Sequence, residues 1–137
     1  MSLLPRAVAT RLADPLADPV EDRSRLRFAG FLVGIGALHF VIPAQFEKIV
    51  PRWVPGRRRA VLWSGVAEIG AGALLAVPRT RKLGGWLATA TIVAVYPANI
   101  QMTIDATRGG SRRDKIATWI RLPLQFPMIA KAYRYTR

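Results

Sequence analysis

The sequence of 137 residues contains no cysteine, a single histidine and only eight Asp and Glu residues. Without cysteine, the chain is excluded from disulfide exchange, thiolate catalysis and iron–sulfur ligation. One histidine cannot supply both axial ligands of a haem, and eight acids are too few for a di-iron carboxylate site. We therefore expect no metal site and no catalytic residues, and an enzyme acting alone is the least supported function. Any redox centre would belong to a partner or to a bound small molecule.

The chain is basic and apolar at the same time, with a net charge of +13 and 51% hydrophobic residues. The Lys and Arg residues cluster between apolar blocks, which is typical of loops that border a bilayer. Nucleic acid would instead require a concentrated basic face, so we predict membrane lipids and not nucleic acid as the partner of these charges. No break in composition follows the N-terminal tail, which indicates one domain.

Four segments are predicted to span a membrane because of their length and apolar composition. The predicted spans are residues 26–46, 60–78, 83–104 and 116–135. Residues 1–25 are predicted to be a mobile cytoplasmic tail. The fold class is thus expected to be all-α, with an integral membrane four-helix bundle of up-down topology over residues 26–137.

Individual residues indicate where these spans end and how they pack. Pro43 is expected to end or kink the first helix. The fourth span is the least hydrophobic and carries Arg121, Gln125 and two prolines, so we predict that it faces the interior of the bundle. Gly30 and Gly34 form a small-xxx-small pair, a pattern typical of helix contacts in membranes.

The polar residues 47–59 are predicted to form a short interfacial segment between the first two spans. Trp53 would insert among the lipid headgroups, and Arg57, Arg58 and Arg59 would contact lipid phosphates. The alternative is a simple loop that anchors two helices, and the sequence favours neither.

The second span carries a carboxylate, Glu68, near its middle. Ser64, Glu68 and Gly72 are spaced by four residues and so share one helix face, with Gly65 beside them. Small residues let a neighbouring backbone approach closely, so this face is predicted to contact protein and not lipid.

Five polar residues from the four spans fall at similar depths, roughly 8 to 14 Å from one end of an up-down bundle at about 1.5 Å per residue. They are His39, Glu68, Asn99, Arg121 and Gln125. The cluster predicts a pocket for a polar headgroup, with Glu68 and Arg121 as a buried ion pair. A buried network that only fixes the register of the helices is the alternative.

The same residues fall within a longer pattern of short motifs. It consists of His39-Phe40, Pro43, Phe46, Ile49-Val-Pro51-Arg-Trp-Val-Pro55, Ser64-Gly-Val-Ala-Glu68-Ile, Gly85-Trp86, Pro97-Ala-Asn99-Ile and Arg121-Leu-Pro-Leu-Gln125. This pattern resembles the DoxX family of small bacterial membrane proteins over residues 26–137. The resemblance implies a four-helix protein of the bacterial cytoplasmic membrane with both termini in the cytoplasm. It also implies an association with quinone-linked redox complexes.

The leading functional hypothesis is a non-catalytic membrane subunit or anchor of a redox system, whose pocket binds a quinone or a lipid headgroup. Its partners would be membrane lipids together with a redox enzyme complex or further copies of the chain. Two alternatives remain open at this stage. One is a small proton-coupled transporter in which Glu68 titrates, and the other is a purely structural assembly protein.

Overall fold

The structure is a computed structural model and describes residues 19–137. This part of the chain is all-helical and contains no strand, so the predicted all-α class is confirmed. A 3₁₀ turn, Pro78–Thr80, joins the third helix to the fourth. The helices are α1 (Pro19–Val41), α2 (Pro43–Glu47), α3 (Arg57–Ala76), α4 (Arg81–Ala94), α5 (Tyr96–Gly109) and α6 (Arg112–Arg134).

Three helical segments are long and apolar enough to cross a membrane, and they indicate a membrane protein. They are Pro19–Val41, Arg57–Ala76 and Pro78–Gly109. They correspond to the first three predicted spans. The fourth predicted span lies in α6, which is not among these segments and whose composition is more polar than theirs.

The first helix begins earlier than predicted. Residues 19–25 belong to α1 and not to a tail, while the remainder of the predicted tail, residues 1–18, lies outside the described residues. Helix α1 ends at Val41, and Pro43 opens the short helix α2, which confirms the predicted break.

The third apolar segment is not one continuous helix over 83–104 as predicted. It divides at Val95 into α4 and α5, with Pro97 in the first turn of α5. Proline has no N–H for the preceding turn and its ring crowds that turn, so a break there has a direct steric cause. Both halves pack on α6, and only the first half, α4, also packs on α3.

The predicted interfacial segment is a series of turns between α2 and α3. Gly56 has a φ of 63°, a left-handed conformation that favours glycine, and it opens α3 at Arg57. Arg57, Arg58 and Arg59 consequently form the exposed first turn of α3, three residues before the predicted start of the second span. Arg58 pairs with Glu47 of α2 at 3.1 Å.

Helices α1 and α3 pack closely because glycines line their contact. A Cβ atom on Gly65 would lie 2.8 Å from the Cβ of His39, and one on Gly72 would lie 2.6 Å from the carbonyl oxygen of Ala29. The predicted contact face of α3 is confirmed by these distances. The predicted contact through Gly30 and Gly34 is wrong, since both are exposed and a Cβ on either would meet nothing within 4 Å.

The hydrophobic core lies at the end of the molecule where α1 starts and α6 ends. It consists of Phe28, Ala29, Leu32, Ala71, Leu75, Ala88, Ile92, Ala132 and Tyr135. Buried Arg25 donates a hydrogen bond to the carbonyl of Leu75, and Thr80 Oγ1 donates to the carbonyl of Leu74 at 2.8 Å. These donors satisfy the last carbonyls of α3, which have no partner within the helix.

Helix α6 begins with a capping box. The Ser111 hydroxyl donates to Asp114 Oδ2 at 2.7 Å and the Ser111 backbone N–H donates to the same oxygen at 3.0 Å. These two bonds hold the pKa of Asp114 below its usual range. The helix then continues through Pro123 and Pro127 without a break.

At the other end of the molecule, the helices pack together in two pairs. There α1 packs on α3, and α5 packs on α6, whereas neither α5 nor α6 comes close to α3. Helix α4 contacts both α3 and α6 and joins the two pairs. Space is therefore left between the pairs on the α2 side of the core.

The glycine contacts give a first prediction. Gly72→Ala should lower the free energy of unfolding by about 1–3 kcal/mol, because the added methyl overlaps α1. Gly34→Ala is the matched control and should leave stability unchanged or slightly raised, since it meets open space and favours helix. Thermal unfolding of both variants in detergent measures this. Equal loss of stability in the two would contradict the α1–α3 contact.

Candidate functional site

A cavity of about 460 Å³ occupies the space between the two helix pairs. Its inner wall carries four buried polar side chains: His39, Glu68, Thr91 and Asn99. Its rim includes exposed apolar residues of the α2–α3 connection, of α3 and of the α4–α5 junction: Trp53, Trp63, Ala94 and Pro97. Trp53 and Trp63 are 76% and 71% exposed, so the rim is open. The cavity thus has a polar inner end and an apolar opening on the side of the helices.

His39 is held in one orientation. Its Nδ1 lies 2.8 Å from the carbonyl oxygen of Ile35. Because a carbonyl can only accept, the proton is on Nδ1, and in the neutral ring the lone pair is on Nε2. The ring also stacks on Phe46 of α2, with centroids 3.9 Å apart. The break at Val41 that folds α2 back over α1 therefore positions the imidazole.

Glu68 lies beside His39 but is not hydrogen-bonded to it. Glu68 Oε2 is 3.4 Å from His39 Nδ1, whose proton points to Ile35. In the part of the chain that the structure describes, three buried side-chain oxygens have no hydrogen-bond partner: Glu68 Oε2 and Ser64 Oγ in this wall, and Gln125 Oε1 outside the cavity. Buried polar atoms are nearly always hydrogen-bonded. Two such oxygens one helical turn apart mark this wall as a place where a polar group can bind.

The predicted buried ion pair between Glu68 and Arg121 is not formed. Arg121 is exposed, and within residues 19–137 it makes no ion pair within 4 Å. The reason is that α6 lies across the cavity from α3, so the two side chains line the same space without meeting.

Gln125 does not line the cavity, contrary to the prediction that it joins the polar wall. It is buried, and its Nε2 donates to the carbonyl of Ile92 at 3.1 Å. This bond ties α6 to the last turn of α4, where carbonyls lack partners within the helix. The structure thus brings together four of the five predicted residues: His39, Glu68, Asn99 and Arg121.

Sequence reasoning missed several residues of this cavity. Thr91 lines it, and its hydroxyl donates to the carbonyl of Leu87 at 2.8 Å. Nothing in the sequence marked Thr91, since a threonine in an apolar helix most often bonds its own backbone in this way. Ser64 shares the face of Glu68 in the sequence, and that spacing was a usable signal.

The predicted lipid contacts lie at the same end of the molecule as the cavity. Trp53 is part of the rim, and the three arginines are exposed in the first turn of α3. Their contact with lipid phosphates stays a prediction. Among the described residues, no group of three or more His, Asp or Glu side chains could hold a metal ion.

The geometry predicts that Glu68 is coupled more strongly to His39 than to Arg121. In a double-mutant cycle, His39→Gln and Glu68→Gln should show a coupling energy of about 0.5–3 kcal/mol, as expected for residues in contact. The cycle of Arg121→Gln with Glu68→Gln should give less, because the side chains do not touch. Unfolding in detergent measures both cycles. A larger coupling to Arg121 would mean that the carboxylate faces α6 and not α1.

A family model described as a domain of unknown function, DUF8561, matches residues 28–136 of the chain. No curated protein and no solved structure matches the chain. The matched range contains His39, Glu68, Asn99 and Arg121, so the site lies within the family domain. The chain belongs to the DUF8561 family.

Proposed function

We propose that this protein is a four-helix membrane bundle that binds the headgroup of a quinone or a lipid in the cavity between its helix pairs. It serves as a non-catalytic membrane subunit or anchor of a quinone-linked redox system. The observation that carries the proposal is the cavity itself, which has an exposed apolar rim and a buried polar end with two unpartnered oxygens. The resemblance to the DoxX family supports the redox part of the proposal.

The four spans of this proposal are α1, α3, α4 with α5, and α6. Several contacts support α6 as a span that returns to the starting end of α1. Arg134 of α6 pairs with Glu21 of α1 at 3.2 Å, and the Lys131 ammonium lies 5.6 Å from the centre of the Phe28 ring. The end of the chain then lies on the same side as the start of α1. We therefore propose that both termini face the cytoplasm of a bacterium, as the DoxX resemblance implies.

The shape and chemistry of the cavity fit an amphiphile. Its apolar tail would leave through the open rim, where lipid would be its neighbour, and its headgroup would lie at the inner wall. Asn99 and Arg121 supply donors for headgroup oxygens, and Ser64 can donate or accept. A phosphate would meet the buried carboxyl of Glu68 across the same cavity, so an uncharged ring with oxygen substituents suits this wall better.

The two alternative functions find less support. A transporter needs a path to both sides of the membrane, whereas the core fills the far end of the molecule, where Leu75, Ala88 and Ala132 are fully buried. An assembly protein needs only a closed polar network, whereas this polar wall faces an open cavity. An open cavity beside the polar wall is not expected if the cluster serves only to fix the register of the helices.

The first test asks whether the cavity holds an amphiphile. Protein extracted mildly from its native membrane should carry a bound quinone or phospholipid, and Ala98→Phe should lose it, because the new ring fills the cavity beside Asn99. Val93→Phe is the matched control: it adds a ring at an exposed position of α4 outside the cavity and should retain the ligand. Native mass spectrometry measures occupancy, and the mass distinguishes quinone from phospholipid.

Both variants should unfold within a few degrees of the wild type, which separates loss of ligand from loss of fold. Equal occupancy in all three proteins would show that the bound molecule sits elsewhere and would remove the basis of the proposed function. Absence of any bound amphiphile from the wild type would favour the assembly protein instead.

The second test concerns topology. Gly109→Cys, at the end of α5, and Arg79→Cys, between α3 and α4, lie at opposite ends of the bundle. Both positions are exposed, and a side chain at Gly109 meets open space. In intact cells, a thiol reagent that cannot cross membranes should modify only the Gly109→Cys variant. Modification of both variants, or of Arg79→Cys alone, would contradict the proposed topology.

A further inference from the structure

A second cavity of about 440 Å³ adjoins the first. It lies between the residues that follow α2, the second half of α5 and the first turns of α6. The two cavities share two lining residues, Ile49 and Arg121. The space that contains Glu68 and this second space therefore adjoin at these two residues, one of which is a long and exposed arginine.

The walls of the two cavities differ in charge. Four of the ten residues that line the second cavity are charged, namely Lys48, Asp105, Asp114 and Arg121. Only Glu68 and Arg121 are charged among the 21 that line the first. Charged side chains retain water around them, because removing it is costly. The second cavity is thus suited to water, and the first to an apolar molecule with a polar end.

The opposite end of the molecule is packed in the part of the chain that the structure describes. The core fills that end, and the bond from Gln125 to the carbonyl of Ile92 closes the passage between α4 and α6. The close contact of Gly84 with the backbone of Leu75 seals α4 against α3. These contacts favour exchange of Glu68 with water from the α2 end.

We propose that the second cavity is an aqueous vestibule through which water and protons reach Glu68 from one side of the membrane only, with Arg121 standing between the two spaces. The other groups that face Glu68 are consistent with exchange at this point. His39 is the titratable group from α1, and Arg121 is the charged group from α6. Helices α4 and α5 supply only the uncharged Thr91 and Asn99, and Glu47 of α2 is paired with Arg58.

The proposal goes beyond the binding of an amphiphile, since it concerns which compartment the polar end of the cavity communicates with. If a headgroup that carries protons occupies the cavity, it exchanges them with that compartment alone. If the cavity has no ligand, the vestibule still gives Glu68 access to water. The two ideas can therefore fail separately.

The natural absence of cysteine makes accessibility labelling direct. Three single-cysteine variants are required: Met102→Cys in the vestibule, Ser64→Cys in the inner cavity, and Val66→Cys on the exposed face of α3 outside both. The proteins are reconstituted in phosphatidylcholine vesicles that contain no quinone. The probe is a cationic methanethiosulfonate that cannot cross membranes, applied inside or outside. Vesicle orientation is read from the Gly109→Cys and Arg79→Cys variants.

The vestibule predicts that Met102→Cys and Ser64→Cys react from the same side as Gly109→Cys, with Ser64→Cys the slower, while Val66→Cys in lipid does not react. Adding Arg121→Trp should slow the reaction of Ser64→Cys at least tenfold and leave that of Met102→Cys unchanged. The unchanged rate at Met102 also shows that the tryptophan variant is folded.

Three results would overturn the proposal. One is a Met102→Cys variant that does not react, because the second cavity would then exclude water. Another is a Ser64→Cys variant that reacts from the Arg79 side or from neither side. The third is a Ser64→Cys rate that Arg121→Trp does not slow, because the reagent would then reach the inner cavity by another route.

Discussion

Pro97 has no backbone N–H to donate, and the third apolar segment consequently divides at Val95 into two helices, of which only the first packs on α3. Helix α4 stays against α3 and α6, whereas α5 packs on α6 and leaves α3. The space that α5 vacates beside α3 is the cavity with the buried polar wall. A break of this kind is tolerated at membrane depth only where the freed groups face protein or a polar space. Here the donor from Gln125 to Ile92 supplies part of that compensation.

The rest of the fold is organised around the contrast between a packed end and an open end. In a membrane, helices gain little from apolar burial alone, so their association depends on close packing and on polar contacts. Gly72 on α3 and Gly84 on α4 allow this close packing, and Arg25 supplies a polar contact to the end of α3. These contacts hold the packed end together, so the helices at the other end can diverge without loss of the fold.

Glu68 is an ionisable side chain whose burial is unfavourable, and it lies where the packed end of the molecule meets the open end. An ionisable side chain in an apolar span requires a partner or a purpose. Its neighbour His39 is already committed to Ile35, and Arg121 lies across the cavity, so neither neutralises it by direct contact. Glu68 lines the cavity while one of its buried oxygens lacks a partner, so this carboxyl contributes little to holding the helices together and is suited to binding or exchange. The same geometry that weakens the purely structural interpretation therefore supports a functional one.

The sequence alone determined the all-helical class, three of the apolar segments, the break at Pro43 and the protein-facing side of α3. These properties depend on composition, on proline chemistry and on the spacing of residues along one helix, all of which are local. It also brought His39, Glu68, Asn99 and Arg121 to one level, because depth along a helix follows from counting residues.

Only the tertiary structure decided which of them meet. Rotation of each helix, the divergence of α5 from α3 and the folding back of α2 place His39 beside Glu68, keep Arg121 apart and turn Gln125 away from the cavity. Gly30 and Gly34 show the same limit, since a helix-contact spacing does not say which face of α1 the packing buries.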